Sequence, residues 1–209
     1  MCGAISLDVA SRIANTIHWE NDFYVYEEKL PIILSEGTLI DIETTGLPDG
    51  FRTAPSSMFT FGFIVNNKLS VVQNLNMPLK YFENYVSTNI IEVLPLPYYA
   101  WNCSFEANHL KRDAEWIELQ PFKYAKKHEL IKINRYDYED VGNGPDCPKW
   151  WAVWRSSLPL QSRKVALVKV IIHNRACLIK EIVALVAFCG ARLDNERIIG
   201  IKNEEGCAL

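Results

Sequence analysis

Two acids, Asp41 and Glu43, close the apolar run Thr38-Leu39-Ile40-Asp41-Ile42-Glu43. On a strand, residues two apart point to the same face. Two carboxylates facing one way at the end of a buried strand repel each other and lose hydration. A divalent cation resolves that conflict, and hard carboxylate oxygens suit Mg²⁺ or Mn²⁺. A strand end open to solvent resolves it as well. The run stops at Thr44-Thr45-Gly46-Leu47-Pro48-Asp49-Gly50, a loop of turn residues.

The elements that must position these acids follow from pattern. Residues 1–37 read as an extension packed on the core, with a turn at Ser35-Glu36-Gly37. Strands are expected at 58–65 and 69–75, joined as a hairpin by Asn66-Asn67-Lys68. Leu79, Phe82, Val86, Ile90 and Val93 fall at helical spacing, predicting a helix over 79–94 that Pro95 and Pro97 end. Tyr98 to Trp101 is a short strand, and 105–119 reads as a helix. Tyr136 to Lys149 is irregular, and a long helix runs from about Val165 to Cys189, stopped by Gly190. This order describes an α/β domain with a mixed central sheet, spanning 38–190, with 191–209 as a tail.

Composition narrows the classes. The 209 residues are 49% hydrophobic and 22% charged, as in a globular chain rather than a disordered one. The longest apolar run, Ile182 to Cys189, is far short of the roughly 20 residues of a spanning helix, so no membrane partner is expected. Six cysteines without C-x-x-C spacing point to reduced thiols in an intracellular, cytoplasmic protein. Net charge is −3, yet Lys111 to Lys180 holds 14 basic and 8 acidic residues. Such asymmetry permits a positive surface facing a polyanion.

The motif around the acid pair carries more. Asp41-Ile42-Glu43-Thr44-Thr45-Gly46-Leu47 resembles the first motif of the DEDD 3′–5′ exonucleases, the DnaQ-like members of the ribonuclease H-like fold. Asn102-Cys103-Ser104-Phe105-Glu106 resembles their second motif, with Glu106 in place of Asp, a shape most similar to the YprB-type ribonuclease H-like subfamily. His173-Asn174-Arg175-Ala176-Cys177 resembles the His-Asn-Arg-x-Asp form of the third, with Cys177 where the Asp is expected. His173 and Cys177 are four apart and share a helix face, and Glu181 lies one turn further along it. Asp137, Glu139 and Asp140 are other candidates for the missing acid.

The resemblance implies a three-layer ribonuclease H-like fold, with helices on both faces of the sheet. It also implies a two-metal nuclease acting on single-stranded DNA or RNA. Asp41 would bridge two Mg²⁺ or Mn²⁺ ions, Glu43 and Glu106 would each complete one, and His173 would take a proton from water. Thr44, Thr45 and Leu47, with Asn102 and Phe105, would hold the terminal nucleotide. Without the fourth acid, one ion site is expected to be weak. The segment Lys149-Trp150-Trp151-Ala152-Val153-Trp154-Arg155 interleaves cations and aromatics, as a single-strand groove does, or else buries its tryptophans in a core.

Three other readings compete. A binding or structural protein of the same fold would have lost catalysis through Cys177. A ribonuclease would use the same chemistry in a different groove. An amidotransferase would use Cys2, exposed by removal of Met1, but no downstream motif supports it.

Overall fold

One strand organises the molecule. In the computed structural model, which describes residues 7–46, 56–119, 140–191 and 201–203, β1 runs from Phe23 to Thr44. It lies antiparallel to β2, Met58–Asn74, over nearly its whole length. The register begins at Phe23 opposite Asn74 and ends at Thr44 opposite Met58. It slips between Lys29 and Leu34 and again between Leu34 and Leu39, as bulges absorb extra residues of β1.

Two sequence expectations change here. Residues 23–37 are not an extension but the first part of the strand that carries the acids. Residues 58–75 do not form a hairpin; Asn66 takes a left-handed conformation (φ 53°), and the strand continues through it. The hairpin is β1 with β2. Gly37 likewise makes a kink within β1 rather than a turn. Its φ is 77°, and a Cβ there would stand 2.3 Å from the Pro97 carbonyl oxygen.

The other edge of β1 pairs in parallel with β3, Tyr98–Ala100, which pairs in parallel with β4, Trp116–Glu118. The mixed sheet has the order β2-β1-β3-β4, with a short strand, Ile201–Asn203, antiparallel on β1. Helix α1, Leu7–Thr16, precedes the sheet and was not expected from the sequence. Helix α2, Leu79–Tyr85, continues through a π turn and a 3₁₀ turn to Val93, matching the expected span. Helix α3, Cys103–Leu110, is shorter than expected. Lys111 (φ 50°) ends it in a left-handed cap, and β4 follows where helix was foreseen. Helix α4, Cys147–Trp154, starts inside the segment read as irregular. Helix α5, Leu160–Ala191, contains the foreseen long helix and begins five residues earlier.

Two separate clusters of buried side chains form the core. Leu39 and Tyr99 belong to one, with Ile13, Trp151, Ile171 and Ile179 of α1, α4 and α5. Their strand neighbours Ile40 and Tyr98 belong to the other, with Phe82 of α2 and Leu110 of α3. Strand alternation therefore sends neighbouring side chains to opposite faces, each covered by helices. Asp41 and Glu43 share the parity of Leu39 and so face α5. No helix among the described residues is long and apolar enough to cross a membrane.

Candidate functional site

The acids at the end of β1 open into a cavity of about 340 Å³, lined also by α3, α5 and the segment before α4. Asp41, Glu43, Glu106, His173, Cys177 and Glu181 all line it, together with Asp140 and Lys180. Every residue expected at the catalytic or metal positions therefore converges on one space, with Cys177, Glu181 and Asp140 of the candidates for the fourth acid.

Gly62 makes that convergence sterically feasible. It is the β2 partner of Asp41. A Cβ at Gly62 would lie 2.0 Å from Asn174 Oδ1 and 2.8 Å from Leu178 Cδ1. The missing side chain lets α5 approach the strand. Asn174, wholly buried, donates from Nδ2 to Asp41 Oδ2 at 2.6 Å and to the Asp41 carbonyl at 3.3 Å. One carboxylate oxygen of Asp41 is thereby oriented, although Asn174 carries no charge to offset it.

The charge in the cavity remains unbalanced. Burial drives the Asp41 carboxyl well above its ordinary range, and Cys177, Glu181, Glu43 and Glu106 add to the effect. Burial also raises Glu43, to about 7, despite the opposing pull of His173 and hydrogen bonds from Cys147 and Asn174. Glu106, 4% exposed, projects from the first turn of α3, and Glu181 is 1% exposed on α5. Acids outnumber bases on this lining, where His173 and Lys180 stand among five carboxyl groups.

His173 stands at the boundary between the acids and a second charged pair. Its Nδ1 donates to Asp140 Oδ1 at 2.7 Å, and Lys180 bonds the other Asp140 oxygen. Burial alone would raise Asp140, but the hydrogen bonds and charges of His173 and Lys180 hold it at about 2. Burial alone would lower His173, but Asp140 and then Glu43 raise it. The other ring nitrogen, Nε2, faces inward, 3.9 Å from Glu43 Oε1 and 3.5 Å from Cys177 Sγ.

The residues expected to hold nucleic acid divide. Thr44, Asn102 and Phe105 line the cavity. Thr45 lies beside it, its Oγ1 accepting the Ser57 N–H. Leu47 falls outside the described residues, as do Asp137 and Glu139. Lys149 is exposed and paired with Asp146, and exposed Arg155 sits over the Trp151 ring. Neither Lys149 nor Arg155 lines the cavity. Trp151 is buried and stacked on Phe59, and Trp154 is buried with its indole N–H on the Leu75 carbonyl. Those two tryptophans are core. Trp150 differs: it is half-buried, edge-on to His173 at 6.3 Å, with Lys169 over its ring.

Sequence reasoning assigned no role to Asn174, Lys180 or Cys147. Asn174 was visible inside the third motif. Lys180 had only its helical spacing from Cys177 as a signal. Cys147 had none, because only the start of α4 brings it to Glu43. Comparisons with family models, with curated proteins and with solved structures find no match to this chain.

Proposed function

We propose that this protein is a metal-dependent nuclease of ribonuclease H-like fold that hydrolyses single-stranded nucleic acid from the 3′ end. One observation carries the reading. Asp41, Glu43, Glu106 and His173, drawn from three separate stretches of chain, meet on the lining of one acidic cavity.

The donor set fits hard divalent cations on its own chemistry. Asp41 and Glu43 are pushed toward protonation by burial and by neighbouring acids, Glu181 acting on both, and cations would relieve both. Asp41, Glu43 and Glu106 would hold Mg²⁺ or Mn²⁺, with Glu181, on the same cavity lining one turn beyond Cys177, available where the fourth acid is missing. When bound, such ions polarise the phosphoryl oxygens and sharpen the acidity of water.

The chain's own residues do the rest. Asn174 fixes one oxygen of the Asp41 carboxylate at the cavity lining. Asp140 fixes the tautomer of His173, leaving Nε2 to accept a proton from an attacking water. Lys180 keeps Asp140 ionised, which stabilises the imidazolium that results. Thr44, Asn102 and Phe105 border the space for the terminal nucleotide, and Trp150 with Lys169 offers a stacking face next to His173.

Single-turnover digestion of end-labelled single-stranded DNA and RNA, with Mg²⁺, Mn²⁺ or chelator, tests the reading. Shortening from the 3′ end that needs metal and disappears in Asp41→Asn is the expected result. No cleavage of either polymer in either metal would overturn it. Cys177 favours a second reading, a binding protein that retains the fold without cutting. Cleavage by Cys177→Asp alone would identify that case.

A further inference from the structure

Two thiols stand near His173, Cys177 on the wall of the acidic cavity and Cys147 buried beside Glu43, and hard-metal hydrolysis uses neither. Cys147, at the first position of α4, is wholly buried. Its Sγ lies within 4.8 Å of both a Glu43 oxygen and a ring nitrogen of His173. Cys177 Sγ lies within 4.8 Å of oxygens of Asp41 and Glu43, and 3.5 Å from His173 Nε2. Glu43 is common to both groups.

These donors suit a different class of cation from Mg²⁺. Thiolate and imidazole select Zn²⁺ and its borderline neighbours. With Zn–S near 2.3 Å and Zn–N near 2.0–2.1 Å, a tetrahedral ion sets its S···N edge at roughly 3.5 Å. The Cys177–His173 separation is 3.5 Å.

A second, independent feature points the same way. A zinc-bound histidine characteristically donates its other ring N–H to a carboxylate, which fixes the ring and raises its basicity. His173 does so through Nδ1 to Asp140 at 2.7 Å, and Lys180 anchors Asp140 in turn. The imidazole thus turns Nε2 toward Glu43 and Cys177, 3.9 Å from the first and 3.5 Å from the second.

We infer that Cys147, His173 and Glu43 form a Zn²⁺ site that Cys177, 3.5 Å from His173 Nε2, joins as fourth ligand by a rotation of its side chain, with Asp140 as the partner that orients His173. Zn²⁺ binding displaces the two thiol protons to solvent and forms two Zn–S bonds, with no change of oxidation state. The site takes Glu43 and His173 away from hydrolysis, so Zn²⁺ acts as an inhibitor of Mg²⁺- or Mn²⁺-dependent cutting. Metal binding itself requires no cutting, so the site goes beyond the nuclease reading.

Co²⁺ makes the test spectroscopic. The full-length, reduced, metal-free protein is titrated with Co²⁺ and then with Zn²⁺. The expected result is a thiolate-to-cobalt charge-transfer band with the intense visible bands of a tetrahedral ion, both abolished by Zn²⁺. Cys147→Ser and Cys177→Ser each remove intensity from the charge-transfer band. Asp140→Asn keeps the bands but weakens Co²⁺ binding by roughly 10–100-fold. Circular dichroism of each metal-free variant checks folding, and Cys177→Asp serves as a second probe that keeps an ionisable ligand while removing sulfur. Weak, octahedral-type cobalt bands with no charge-transfer component would overturn the zinc site. If Mn²⁺ then still raised the melting temperature, and lost that effect in Asp41→Asn, the nuclease reading would stand alone. Tetrahedral thiolate bands without any metal-dependent cleavage would support zinc and overturn the nuclease instead.

Discussion

At the level of single residues, the cavity stores an electrostatic conflict whose sign with pH can be worked out. Glu43 sits at about 7 against an ordinary 4.5, so the folded protein holds a proton that the unfolded chain releases. Its favourable contribution is complete below about pH 4.5 and is lost as pH climbs through 7. Asp41, also raised, acts in the same direction. The raised His173 adds stability in its charged form, and this fades as pH passes above its folded value. Asp140, held at about 2, contributes fully above the ordinary aspartate range and falters only in stronger acid. Without metal, the melting temperature should therefore fall from about pH 5.5 to pH 8.5. Glu43→Gln should flatten that slope and stabilise the metal-free protein at pH 8 by up to roughly 3 kcal/mol, read from denaturant midpoints. Cleavage should move the opposite way. In the proposed mechanism His173 takes the water's proton only when neutral, so the single-turnover rate should rise with pH across its titration, and a flat profile would exclude it as the base.

At the level of elements, the site depends on how closely α5 approaches β1, and Gly62 sets that distance. Gly62→Ala should cost roughly 1–3 kcal/mol of stability, because its Cβ meets Asn174 and Leu178 at non-bonded clash distance. It should also weaken Mn²⁺-induced stabilisation, because Asn174 loses its hold on Asp41. The same contact explains what could and could not be read from the sequence. The acidic strand, the helix over 79–93, the strand at Tyr98 and the long final helix all carry periodicity or stop signals local to themselves. Lys111 and Asn66 do not announce their left-handed conformations. One helix was therefore drawn through β4, and one strand was broken into a hairpin. The acids were legible because their spacing declares a shared strand face. Cys147 was not, because nothing near it in sequence marks its approach to Glu43. Lys149 and Arg155 were named from composition alone, and α4 turns both away from the cavity lining.

Across the whole molecule, α5 also ties the far end of β1 to the rest. Arg175, 7% exposed, holds Glu28 through two bonds, Nε to Oε2 at 2.5 Å and a second guanidinium nitrogen to Oε1 at 2.9 Å. Tyr26 donates its hydroxyl to the same carboxylate. Removing the acid strands a buried guanidinium, so Glu28→Gln should lower stability by roughly 3 kcal/mol in urea unfolding. On the outer side of α5, Ile13 of α1 is fully buried, and Ile13→Ala should cost roughly 2–5 kcal/mol. These ties hold together parts of the chain that are distant in sequence. Asp41 and Asn174, bonded at the centre of the site, are 133 residues apart. During synthesis the acidic strand therefore leaves the ribosome long before the helix that seals it. Until α5 docks, Asp41 and Glu43 stay hydrated and ordinary in acidity, and a nascent chain has neither the cavity nor the histidine. On the nuclease reading proposed above, the capacity to bind metal or to cut would arrive only when α5 docks, and a partly made chain would be inert toward nucleic acid.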